Sequence, residues 1–200
     1  MNTPILTATL GTNSDLLPKV FELYVPDGSI IADITYGRGV FWKNIDKNKY
    51  TLLESDIAIN GVDFRRLPYD SDSFDVVIFD PPYMHGGKTV VKKTLNDPYR
   101  NHEAPVDSHE GVIRQYASGI LEISRVLKKK GIAIIKCQDE IESGVQHLSH
   151  VEIIQLLDLL GFQVLDIFIL VQNNIPTMRE DYQKSARKNH SYLIIAKFRR

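Results

Sequence analysis

The stretch DVVIFDPPY at residues 75–83 constrains this chain more than any other. Four consecutive apolar residues, Val76 to Phe79, read as a buried strand. That strand leaves through an acid, two prolines and a tyrosine, a stiffer exit than a turn needs. Further β-rich runs are GSIIADI (28–34), YTLLESD (50–56), GIAIIKC (131–137), QVLDIFILV (163–171) and SYLIIAKF (191–198), with segments of helical periodicity among them. The alternation predicts an α/β fold with a largely parallel sheet. Between 107 and 130, Val112, Ile113, Tyr116, Ile120, Ile123 and Leu127 recur at steps of three and four. This predicts a helix stopped by Gly131, with Lys128, Lys129 and Lys130 in its last turn. Ser149 and Glu152 predict a capping box opening another helix, closed by Gly161. Residues 84–107 and 172–190 lack periodicity and read as long functional loops.

Composition excludes several classes of function. The 200 residues suit one domain. A net charge of -1 gives no global footprint for a polyanion, so contact with nucleic acid falls to local basic patches. Cys137 is the only cysteine, which excludes an internal disulfide and a cysteine-rich zinc site and fits a reducing compartment. The start MNTPILTATLGTNSD lacks the pattern of a signal peptide, and no run approaches the roughly 20 apolar residues that span a bilayer. A cytoplasmic protein without membrane contact is expected. His147 and His150 are three apart, but the expected cap Ser149 lies between them, so no metal site is expected.

In ADITYGRGVFW a strand ends at Asp33 and Ile34, and a turn with Gly37 and Gly39 follows. Glycines at the carboxyl end of a parallel strand let the backbone approach a nucleotide closely. The spacing falls short of a full G-x-G-x-x-G, so a tight turn without ligand fits it too. The next strand finishes with Glu54 and Asp56, either of which suits ribose hydroxyls. Asp63 suits an adenine amino group, or is a turn residue. DPPY carries the chemistry. An exocyclic amino group on a nucleobase is a poor nucleophile because its lone pair is delocalised into the ring. The Asp80 carboxylate and the Pro81 carbonyl are two acceptors that pull such a nitrogen towards tetrahedral geometry. Both also favour a nearby positive sulfonium, Pro81 stiffens the turn, and Tyr83 offers a face for stacking.

This combination resembles the S-adenosylmethionine-dependent DNA amino-methyltransferases, which methylate adenine N6 or cytosine N4. The resemblance runs from about residue 10 to 198, and its most specific element is DPPY following DITYGRG. It implies a Rossmann-like class I methyltransferase fold in a single domain, with a mostly parallel seven-stranded sheet whose last strand is antiparallel. The implied cofactor is S-adenosylmethionine and the implied partner is DNA. Adenine is favoured because the cytosine enzymes more often carry serine at the first motif position. By the same resemblance Asp33, Tyr36, Gly37 and Gly39 surround the methionine end of the cofactor, Asp56 holds the ribose, and Asp63 the adenine with Phe64 beside it. Asp80, Pro81, Pro82 and Tyr83 form the catalytic motif, and GTNSDLLPKVF covers the cofactor.

Three departures stand out. Thr35, counted with the cofactor-binding residues, occupies a position that is usually aromatic, with Tyr36 beside it as a substitute; the helix after the second strand is trimmed or missing, and no target-recognition domain fits. DNA contact then falls to Lys88, Lys92, Lys93, Arg187 and Lys188 in the two loops, with a homodimer or a separate specificity partner as further possibilities. Alternatives are methylation of cytosine, of RNA or of a protein amide, or a non-catalytic nucleic-acid-binding subunit. Lys136, at the carboxyl end of its strand, receives no role.

Overall fold

The computed structural model describes residues 4–83, 106, 108–172 and 186–199. Seven strands form one sheet: β1 (Ala8–Leu10), β2 (Ile30–Asp33), β3 (Thr51–Glu54), β4 (Phe74–Phe79), β5 (Leu127–Cys137), β8 (Phe162–Val171) and β9 (His190–Phe198). Between β5 and β8, β6 (Glu140–Glu142) and β7 (Val145–His147) make a separate hairpin. The sheet order is β1-β8-β9-β5-β4-β2-β3. β9 runs antiparallel to both neighbours and every other pairing is parallel, as expected. The helices are α1 (Asn13–Tyr24), the single turn α2 (Ile57–Asn60), α3 (His109–Val126) and α4 (Ser149–Leu159). None of the described helices is long and apolar enough to cross a membrane.

The central strands are buried on both faces. Val77 and Phe79 of β4 join Ala133 and Ile135 of β5 under α3 and α4, which contribute Tyr116, Ile120, Ile123, Ile153 and Leu157. Val76 and Ile78 point the other way, with Ile31 and Ile134, into a second core closed by α1 and by Phe41 and Trp42 of the 3-10 turn Val40–Asn44. A strand's period of two makes this division.

Three local expectations were overturned. The long helix ends at Val126, not at 130, and Leu127 already belongs to β5. Lys128, Lys129 and Lys130 fill a bulge: the partners of Phe74 and Val76 jump from Leu127 to Ile132, and Lys130 adopts a left-handed φ of 62°. Lys128 pairs with Asp75 at 2.9 Å rather than with the helix end. The capping box at Ser149 does not form either. Leu148 is the N-cap, and Glu152 accepts or shares a hydrogen bond at 2.8 Å with His109, the first residue of α3. On its other side His109 Nδ1 lies 2.9 Å from Glu140. Burial opposes a charge on that ring, but the two carboxylates outweigh it and hold its pKa above the ordinary histidine value. A tertiary ion pair thus took the side chain that local logic assigned to a cap.

α3 lies close over β4 because Gly119 faces Phe79. A Cβ built there comes within 2.7 Å of Cε1 and 3.1 Å of Cε2 of that buried ring. Alanine gains about 1 kcal/mol in helix propensity over glycine, whereas overpacking a core costs about 1–3 kcal/mol. Gly119→Ala should therefore be less stable than wild type in urea unfolding. Equal or greater stability would show that the ring yields easily.

Candidate active site

The strand alternation sets the site. Asp33, Asp80 and Lys136 each lie two residues beyond a side chain of the second core, Ile31, Ile78 and Ile134, at the carboxyl ends of adjacent strands. All three therefore emerge on one face, where Phe41 and Trp42 lie. Asp33 is almost completely buried, and its carboxylate accepts from Trp42 Nε1 at 2.7 Å and from the Thr35 amide at 3.2 Å. Burial pushes its pKa up to about 7 against those two bonds, and the charges of Asp80 and Asp56 add to the rise.

The glycine turn follows. Gly37 and Gly39 both take left-handed φ values, 54° and 66°, that favour glycine. A Cβ on Gly39 would also lie 2.5 Å from the Tyr36 hydroxyl, which bonds Lys47. Asp56 Oδ2 accepts from the Gly37 amide at 3.1 Å, while its Oδ1 caps α2 through the Ala58 amide at 2.8 Å. Of the two candidate acids at the end of β3, Asp56 therefore reaches the turn, whereas Glu54 pairs with Lys47 at 2.8 Å.

The turn opens onto a cleft of about 310 Å3. Its walls include Asp33, Thr35, Tyr36 and Gly37, then Asp56 and Phe64, and also Asp80 and Pro82. Asn13, at the start of α1 and within the segment GTNSDLLPKVF expected to cover the cofactor, lines it too, as does Phe41, which sequence reasoning did not single out. Asp63, beside Phe64, sits in the fork of Arg65 with contacts of 2.8–3.1 Å that hold its carboxyl below the usual range.

Asp80 is tied to the turn through its backbone, since its amide donates to the Thr35 hydroxyl at 2.6 Å. Oδ2 of its side chain lies 3.4 Å from Lys136 Nζ, and Oδ1 is buried without a hydrogen-bond partner among the described residues. Burial raises the Asp80 carboxyl above its ordinary value although Lys136 draws it down. The Lys136 ammonium stands 5.0 Å from the centre of the Tyr83 ring and 5.3 Å from that of Phe41. Pro81 is buried between the strand and Pro82, which is exposed.

Lys88, Lys92 and Lys93 lie outside the described residues, as does most of the two expected loops. Arg187 and Lys188 are described and run into the start of β9. Tyr192 of β9 pairs with Cys137 at the end of β5, so the start of β9, which these two residues precede, lies beside the carboxyl end of β5. Away from the cleft, His109, His147 and Glu152 bring potential ligand atoms within 4.8 Å of one another. The two imidazoles are stacked at 4.0 Å and 26°, so their in-plane lone pairs do not converge on one point as they stand. His150 instead stacks on Tyr192 and bonds Asp139 at 2.6 Å.

Neither a protein-family model nor a curated protein matches the sequence. Solved structures do share its fold. A SAM-dependent methyltransferase from Methanosarcina mazei superposes with a TM-score of 0.54 at 14% identity, over 90% of this chain and 96% of that one. A protein from Pyrococcus horikoshii OT3 gives 0.56 at 14% identity, over 92% of this chain and 88% of its own. A proposed methyltransferase from Bacillus halodurans C-125 gives 0.56 at 15%, over 90% and 97%. At these identities the likeness is one of architecture: the chain has the Rossmann-like fold of S-adenosylmethionine-dependent methyltransferases.

Proposed function

We propose that this chain methylates the exocyclic amino group of a base in DNA, with adenine N6 as the favoured target and S-adenosylmethionine as methyl donor. The observation that carries the reading is the Oδ1 of Asp80, a buried acceptor with no hydrogen-bond partner among the described residues, on a residue that lines the cleft shaped by the glycine turn. A buried acceptor without a partner is costly unless a ligand satisfies it. The cleft falls in the usual size range of small-molecule sites, roughly 300–1,000 Å3. Asp33 suits the positively charged methionine end of the donor, Asp56 the ribose, and Phe64 the side of the adenine. When bound, the donor supplies an electrophilic methyl group on sulfur.

The chain's own residues prepare the nucleophile. Asp80 Oδ1 accepts one N–H of the base and the Pro81 carbonyl the other, which frees the nitrogen lone pair. The raised pKa of Asp80 makes Oδ1 a fitting acceptor for the proton that the nitrogen releases. Tyr83 stacks on the base. Cys137 is fully buried and burial pushes its thiol far up, which supports direct transfer rather than attack by cysteine. Arg187 and Lys188, joined by Lys88, Lys92 and Lys93, supply phosphate contacts, and an extruded or single-stranded base reaches the clamp most cheaply.

With tritiated donor and DNA, the wild-type product should be N6-methyladenine, and Asp80→Ala should lower kcat/KM at least about 100-fold, as loss of a preorganised partner does. N4-methylcytosine would move the target to cytosine, and full activity in Asp80→Ala would remove the clamp. A second expectation concerns pH. Asp33 is about half protonated near pH 7, and a cationic donor binds its ionised form better, so affinity should tighten as pH rises from about 6 to about 8. Titration calorimetry of wild type against Asp33→Asn isolates this effect from the donor's own amino group. Parallel pH curves would detach Asp33 from the donor.

A further inference from the structure

Lys136 is the residue of the site that the proposed chemistry leaves unused. Its side chain is only 5% exposed, and a lysine is rarely so buried unless paired. Its backbone is fixed on both sides: the carbonyl accepts the Tyr116 hydroxyl at 2.7 Å, and the strand pairs Lys136 with Leu193. Beside the aromatic faces of Phe41 and Tyr83, the partner that its ammonium meets among the described residues is the Oδ2 of Asp80.

We propose that Lys136 is the positioning residue of the amino clamp: its ammonium takes Oδ2 of Asp80 and so turns the carboxylate to leave Oδ1 as the acceptor for the substrate nitrogen. This role rests on the reading of Asp80 as that acceptor. Geometry carries it. A carboxylate rotates about a single bond, and without a partner on one oxygen either could face the base or the sheet. The ion pair removes that freedom before the substrate arrives, as preorganisation requires.

Charge supports the same role. Among the described residues, Asp33 at the end of β2, Tyr116 of α3 and Cys137 of β5 interact electrostatically with Asp80, and none of these three is a cation. Lys136 is the group that draws the buried carboxyl back towards ionisation. An opposite charge at this range is worth about one to three pH units.

The test is a carbon-13 titration of the Asp80 carboxyl, assigned with Asp80→Asn, in wild type and in Lys136→Met, Lys136→Gln and Lys136→Arg. The Asp80 midpoint should rise by about one to three pH units in the Met and Gln variants and stay near wild type in Arg. The acid limb of kcat/KM should move with it, while the donor's affinity holds. An unmoved midpoint in either neutral variant would overturn the assignment, and the Gln variant, which can still donate a hydrogen bond, decides the matter if Met does not fold. The midpoint is read without turnover. A shifted midpoint in a protein that methylates no polynucleotide would therefore leave the pairing standing and sink the proposed substrate instead.

Discussion

Two-sided burial of β2, β4 and β5 is the constraint from which the site follows. Each strand feeds apolar side chains alternately into two cores, so the face of the first polar residue beyond each run is already decided. Asp33, Asp80 and Lys136 come together because their strands are neighbours and their positions share a parity. No loop geometry has to be invented to place them. The same burial makes their charges expensive, and each is met by a specific partner: Trp42 and the Thr35 amide for Asp33, and the ion pair for Asp80 and Lys136.

Thr35 shows how a departure from a family pattern can be read physically. Where the resemblance leads one to expect an aromatic ring, a hydroxyl accepts the Asp80 amide. A phenyl ring in its place offers no oxygen to accept that bond. The glycine turn and the DPPY turn are thereby one hydrogen-bonded unit, extended by Asp56, which accepts from the Gly37 amide and caps α2 at once.

Much of this architecture was legible in the sequence, because unbroken apolar runs such as Val76–Phe79 signal buried strands whatever surrounds them. The cleft residues that follow those runs, Asp33, Thr35, Gly37, Asp56 and Asp80, were legible for the same reason. What escaped was decided at long range. β1 has three residues, too few for a period, and exists because β8 offers it an edge. The Lys128–Lys130 bulge continues a helix-like pattern until pairing with β4 takes over. Glu152 looked like a cap and was claimed by His109, 43 positions away. Lys136 was placed at the right edge, but its partner lies 56 residues off in sequence.

Phe41 is a wall of the cleft and at the same time one of the two aromatic faces beside Lys136. A single rigid ring cannot adjust independently to what lies on its two sides. The same side chain thus borders both the cleft and the ammonium that pairs with Asp80, so a change at position 41 reaches the wall of the pocket and the surroundings of the ion pair together.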